Sequence, residues 1–141
     1  MQGPAIGISQ VGYRVRRAVE ADLEACDRVC TLVHGHHRSG EVLDAIRLGT
    51  ATVVEREDRV TGYATDLAFF AHVVGESNTD MMALIGAASA FGGPGILVPL
   101  RNGVLFRWCL SHGLHVMQVM TLMTIGLYNE PAGAYLPSVL Y

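Results

Sequence analysis

Tyr13-Arg14-Val15-Arg16-Arg17-Ala18-Val19-Glu20-Ala21-Asp22-Leu23 decides how the chain is read. Its first seven residues alternate apolar and charged side chains, the period of a half-buried strand. Glu20-Ala21-Asp22 then opens a helix, with acids in the first turn where the helix dipole favours them. Leu23, Cys26, Val29, Cys30 and Val33 follow at three-to-four spacing and predict one buried helical face. A strand feeding directly into an amphipathic helix puts the chain in a mixed α and β class.

Outward from that stretch, His34–Gly40 reads as a polar loop. Val42, Leu43 and Ile46 with a stop at Gly49 form a second helix. Ala51–Glu55 and Val60–Leu67 read as a hairpin around the four-residue turn Arg56-Glu57-Asp58-Arg59. Phe69–Val74 predicts a central strand. Ser77-Asn78-Thr79 offers caps for a helix over Asp80–Ala90, which Gly92-Gly93-Pro94-Gly95 ends. Ile96-Leu97-Val98 is expected as a short buried strand, and Asn102 as the cap of a helix from Gly103 to about His112, closed by Gly113. Leu114–Ile125 reads as a strand with Val116, Gln118, Met120, Leu122 and Thr124 on one face. After a loop over Tyr128–Gly133, Ala134–Tyr141 is a last extended segment that Pro137 consigns to an edge. These elements predict an α/β (α+β) domain with a mixed, mostly antiparallel sheet of about seven strands and about four helices, with right-handed crossovers in the second half.

With 141 residues, the chain has room for one domain. Half of it is hydrophobic and only 16% is charged, which excludes a disordered tail. A net charge of −3 gives no electrostatic case for nucleic acid. The charges are crowded into residues 1–59, and no residue from Trp108 to Asn129 carries one. Ser111, His112, His115, Gln118, Thr121 and Thr124 interrupt that stretch, so it is too polar for a membrane span. Two readings stay open for it: a dry surface that packs on another domain or subunit, or a well-buried core. Cys26, Cys30 and Cys109 include no C-x-x-C pair and imply no disulfide framework. Residues 1–12 lack the charged start and apolar block of a secretory signal, so a bacterial cytoplasmic protein is expected.

Three blocks resemble the GNAT family of acyl-CoA-dependent N-acetyltransferases. They are the opening Tyr13–Leu23, the hairpin Thr52-Val53-Val54-Glu55-Arg56 to Val60-Thr61-Gly62-Tyr63-Ala64, and the Asn102-to-Gly113-Leu114 helix. Together they cover nearly the whole chain. Met1-Gln2-Gly3-Pro4 is similar to the closing strand and linker of a preceding GNAT domain, and Gly126–Gly133 resembles the C-terminal half of bacterial two-domain GNAT proteins. On this likeness residues 1–12 are a linker or the remnant of a preceding domain, and 13–141 are one GNAT-like domain.

The resemblance implies acetyl-CoA as co-substrate and an amine, on a small molecule or a peptide, as acceptor. It places Val74, Ser77, Asn78, Thr79, Arg101 and Asn102 against the cofactor, His72 as general base, Cys109 as the acid where the family commonly has Tyr, and His36 and Asp66 near the acceptor. Two departures stand beside it. The family's Gln/Arg-x-x-Gly-x-Gly/Ala loop cradles pyrophosphate on a helix N-terminus; here Val74-Gly75-Glu76-Ser77-Asn78-Thr79-Asp80-Met81 lacks the paired glycines and the basic residue, and brings Glu76 and Asp80 instead. The second is Cys109 itself, which reads equally as a buried apolar-face cysteine. His72 likewise reads as a core histidine, and His36 as part of a solvated loop. His34, His36, His37 and Cys30 do not make a convergent ligand set, so no metal is expected. The alternative to acetyl transfer is a degenerate, non-catalytic GNAT half that packs on a catalytic GNAT domain, or forms a homodimer, through the charge-poor C-terminal half.

Overall fold

Apolar residues in neighbouring pairs along the strands point to opposite faces, and the two faces collect separate cores. A computed structural model describes residues 1–138. Its elements run β1 (Arg14–Arg17), a 3-10 turn (Glu20–Asp22), α1 (Leu23–His34), α2 (Ser39–Leu48), β2 (Thr52–Arg56), β3 (Arg59–Ala64), β4 (Val73–Gly75), α3 (Asn78–Gly86), α4 (Gly103–Ser111) and β5 (Ala134–Leu136). The strands form one sheet in the order β1-β2-β3-β4-β5, every neighbouring pair antiparallel. Val53, Tyr63 and Val74 face α1 and α2, packing with Cys26, Val29, Cys30 and Val42. Val54, Ala64 and Val73 face α3 and α4, packing with Met81, Leu84, Ile85, Leu105 and Cys109. Each such fully buried Val or Leu contributes about 1.5–3 kcal/mol, so the period-2 alternation fixes both register and layering.

The α1 face predicted from spacing is the buried one, and Asp22 secures the start of that helix. Its carboxylate accepts Val19 N–H at 2.9 Å and a bidentate pair from Arg16 at 2.7 and 2.8 Å, while the same guanidinium reaches Glu55 on β2. The Arg16 guanidinium holds both Asp22 and Glu55 below the usual carboxylate range.

The sheet has five strands among the described residues, not about seven, and its neighbours are antiparallel rather than mixed. The single parallel contact in the sheet region is an isolated bridge between Ala68 and Gly92. Ile96–Val98 is no strand: among the described residues, Ile96 exchanges backbone hydrogen bonds with Met1 alone, at 2.6 and 2.8 Å. Leu114–Ile125 is no strand either; among the described residues it makes one bridge, His115 to Gln2, and then runs on as an apolar arm without strand partners. The β4 edge is taken by β5, which pairs with it through Val73–Leu136, Val74–Tyr135 and Gly75–Ala134, and the outer edges of β1 and β5 carry no further strand among the described residues. β5 is an edge strand followed by Pro137, as its sequence implied, and residues 139–141 of the expected extended segment lie outside the described residues.

Smaller departures have local causes. The hairpin turn has two residues, because Arg56 pairs with Arg59 and Glu57 and Asp58 take left-handed φ values of 52° and 56°. That turn matches the strands' right-handed twist. β3 stops at Ala64 and β4 begins only at Val73, since Thr65 Oγ1 intercepts His72 N–H at 3.0 Å and Ala68–Ala71 closes a turn. α3 ends at Gly86, where the N-terminal segment crosses so closely that a Cβ would lie 2.7 Å from the Ile8 carbonyl. No helix among the described residues is long and apolar enough to cross a membrane.

Gly62 and Gly75 are paired across β3 and β4 beneath the start of α3. A Cβ on Gly62 would meet the Val74 carbonyl at 2.8 Å and the Gly75 backbone at 3.2 Å, contacts that no side-chain rotation relieves. Gly62→Ala is expected to cost about 2 kcal/mol through this overpacking, seen as a lower urea midpoint. An unchanged midpoint would show that the strands separate without penalty.

Candidate functional site

The starts of α3 and α4 meet at the β4 end of the sheet. Ser77 has extended backbone and caps α3, its Oγ accepting from Asp80 N–H, while Asp80 reaches back to Ser77 N–H at 2.8 Å and Ser77 Oγ at 2.6 Å. This is a capping box. The other carboxylate oxygen accepts from Thr61 Oγ1 of β3 at 2.5 Å, so Asp80 is wholly buried with three donors on it. Asn102 caps α4 by accepting from Leu105 N–H, and its Nδ2 donates to Asn78 Oδ1 at 2.7 Å, tying the two helix starts together. These bonds bring Ser77, Asn78 and Asn102 together, with Thr79 in the first turn of α3 and Val74 buried in β4.

The charge at this corner is already matched. Glu76 forms a bidentate ion pair with Arg59 and lies 3.8 Å from Arg56; these guanidinium groups lower its pKa. Glu76 N–H is taken by the Thr61 carbonyl, and Ser77 and Asp80 N–H by the capping box. That leaves Asn78 and Thr79 N–H as the open donors of the first turn, beside a carboxylate that occupies the favourable end of the dipole. Gly133 covers the exit of β4 so closely that a Cβ there would lie 2.8 Å from the Gly75 carbonyl, and Ala132 N–H donates to Val33 at 2.7 Å. A pyrophosphate needs open N–H groups and net positive potential, and this corner supplies little of either.

His72 lies under α1, 1% exposed, its ring 5.4 Å from Tyr63 and 5.6 Å from His34. Both ring nitrogens lack a partner among the described residues. Burial, with Arg38 and the neighbouring imidazoles adding to it, pushes its pKa down to about 2. Such a ring is neutral at working pH and takes up a proton only in strong acid. His34, grouped in the sequence with His36, His37 and Cys30, has a contact to His72 that sequence reading missed: it stands between His72 and the exposed His36, 5.7 Å from the latter, and burial lowers its pKa to about 4. Its position four residues after Cys30, on the buried face of α1, was the available signal. Asp66 is exposed past the end of β3 and accepts Leu67 N–H at 2.7 Å. Cys109 is buried beside Leu105 on the inner face of α4, where desolvation raises its thiol to about 11. Among the described residues no group of three or more His, Cys, Asp or Glu is placed to hold a metal ion.

The chain matches no family model and no curated protein. Two crystal structures of one Thermus thermophilus protein, TTHA1254, are similar to it. The wild type superposes with a TM-score of 0.58 at 14% identity, and a single-site mutant with 0.56 at 15%. Each match covers 82% of this chain and 99% of that one. The likeness is one of fold.

Arg101 turns away from the helix corner. Its Nη2 donates to the Tyr128 hydroxyl at 2.5 Å and the Tyr135 hydroxyl at 3.0 Å, its Nη1 meets Glu130 at 2.9 Å, and the two hydroxyls are 2.9 Å apart. This cluster stands at a cleft of about 740 Å3 between the 96–101 run and the 116–124 arm. Neither tyrosine was singled out by the sequence, because the two come together only through the sheet edge and Arg101.

Proposed function

We propose that this chain is a degenerate, non-catalytic GNAT-like half that works by association, packing on a catalytic GNAT domain or on a second copy of itself. The observation that carries the reading is Asp80. Its carboxylate fills the start of α3, the place where the resemblance would put cofactor phosphates. Two further features support it. A transfer reaction on an amine needs a base with proton affinity near neutral pH, whereas burial of His72 pushes its pKa down to about 2 and Cys109 is sealed in the core. The exposed apolar side chains of the charge-free stretch also fit association: Leu110 on α4, and Met117, Val119, Met123, Ile125 and Leu127 on the arm, are all exposed. Exposed apolar patches mark contact sites in soluble chains.

Calorimetric titration of the chain with acetyl-CoA tests the reading. No heat is expected up to millimolar cofactor. Saturable binding in the micromolar range, about −8 kcal/mol, overturns it in favour of acetyl transfer to a small-molecule or peptide amine. Sedimentation of the same sample is expected to show a mass that rises with concentration. A concentration-independent monomer removes the second copy and leaves a partner domain as the associating surface.

A further inference from the structure

The cleft beside Arg101 shares the arm with the association reading but has a polar corner, Arg101 with Tyr128 and Tyr135, that the reading does not use. Its walls are apolar: Leu97, Val98 and Phe106 on one side, Val119, Met120 and Leu122 on the other. Among the described residues that line it, Arg101 is the single charged side chain. The guanidinium and the two tyrosine hydroxyls gather at one place, and every one of these groups can donate. One hydroxyl proton is spent in the Tyr128–Tyr135 bond, which leaves the other hydroxyl proton and the Nη1 edge of Arg101 for an acceptor. Glu130 already shows what that acceptor is, since its own carboxylate sits on Nη1 at 2.9 Å. Both partners of that pair are largely exposed, and such pairs hold weakly enough to exchange. A cavity of this size, apolar with a few convergent polar groups, is the usual form of a small-molecule site.

We propose that the cleft binds a medium-chain fatty carboxylate, its chain between the 96–101 run and the 116–124 arm and its carboxylate on Arg101 and the tyrosine pair in place of Glu130. The tail covers apolar side chains of the arm that otherwise face water, Leu122 and Met123 among them. The head takes the Nη1 contact from the exposed Glu130 pair and adds the tyrosine hydroxyl that Glu130 does not use, which is where its advantage over an uncharged head arises. The tail and an associating partner would meet the same arm residues, Val119 and Met123 among them, so binding is read at a chain concentration where sedimentation gives the monomer mass; no covalent step is needed.

The test is calorimetry with sodium decanoate below its micellar concentration, against decanol as the uncharged counterpart. Decanoate is expected to bind saturably, one per chain, in the micromolar range. Decanol is expected to bind about tenfold more weakly, because it lacks the charge-assisted bonds. Arg101→Gln should weaken decanoate by about tenfold and leave decanol unchanged, and Glu130→Gln should tighten decanoate about threefold by removing the internal competitor. Circular dichroism checks that Arg101→Gln is folded; if it is not, the decanoate-to-decanol ratio on wild type and Glu130→Gln carries the test. Equal binding of decanoate and decanol overturns the proposal and leaves a non-selective apolar patch. Absence of saturable decanoate binding to both wild type and Glu130→Gln overturns it outright. Acetyl-CoA enters as a control: heat from it with none from decanoate overturns this inference and the association reading together, whereas silence from both overturns this inference alone.

Discussion

Asp80→Ala is expected to cost about 3–5 kcal/mol, a large part of the ~5–15 kcal/mol by which a domain of this size is stable. The carboxylate accepts from Ser77 N–H, Ser77 Oγ and Thr61 Oγ1 with no solvent exposure, so its removal orphans a buried hydroxyl and a backbone donor in one step. Loss of the capping box at the start of α3 adds about 1 kcal/mol within that total. Urea unfolding reads it as a fall in midpoint without a change in slope. Asp80→Asn keeps the shape but turns an NH2 toward one of the donors, and it should fall between wild type and Ala. Thr61→Val in the Asp80→Ala background should recover part of the loss, because it removes the stranded hydroxyl. An Asp80→Ala variant within about 1 kcal/mol of wild type would mean that water satisfies these groups and that the carboxylate is no structural cap. The association reading would then lose its main support, since an expendable acid at the α3 start is no bar to a phosphate.

Asp80 also marks the limit of what the sequence discloses. Ser77 as a cap and Asp80 in the first turn are both local features and are visible in the string Ser77-Asn78-Thr79-Asp80. The partner that buries the carboxylate is Thr61, 19 residues earlier on β3, and no pattern local to Ser77–Asp80 reports that contact, so the acid reads as solvent-facing charge until the hairpin is folded. Helix α1 shows the opposite case. Cys26, Val29, Cys30 and Val33 recur at helical spacing, and period alone identifies the buried face. Asn102 and Gly113 bracket α4 for equally local reasons.

The arm fails in a more instructive way. Val116, Gln118, Met120, Leu122 and Thr124 alternate as a strand does, but alternation reports only that a segment can pair, not which segment takes the β4 edge. β5 reaches β4 because Gly133 allows the backbone to lie against Gly75, and its three residues fill that edge. The strand-competent apolar arm stays exposed among the described residues and forms one wall of the cleft beside Arg101. The Arg101–Tyr128–Tyr135 cluster arises from the same event, since β5 carries Tyr135 to the sheet edge. Sequence reading placed Arg101 beside a helix start, which is correct for its backbone and uninformative about where its guanidinium goes.

Acid is expected to destabilise the chain well before its carboxylates titrate. His72 and His34 have folded pKa values near 2 and 4, both below the ordinary value of 6.5, with desolvation the leading cause in each and Arg38 and His36 opposing any further positive charge. In the unfolded chain both rings titrate near 6.5. Below that pH the unfolded state binds protons that the folded state refuses, so stability is complete above about pH 6.5 and falls as the pH drops toward the folded values. Between pH 6.5 and 5 the loss should be about 3 kcal/mol, with the half-buried His34 supplying the smaller share because solvent screens it. Asp22, Glu55 and Glu76 have lowered carboxylate pKa values, so their contribution is lost only at more acid pH, which keeps the two effects apart. Urea midpoints at pH 7.5, 6.5 and 5.0 measure the slope directly. His72→Leu fills the same apolar space beside Tyr63 and His34 without a titrating group, so it should remove the larger part of the pH dependence. Equal midpoints at pH 7.5 and 5.0 would show that His72 is solvated or hydrogen-bonded as a cation, and an imidazole able to hold a proton there would again be a base within reach of an amine. The pH dependence of stability therefore decides between a ring that is part of the core and one that could take part in chemistry.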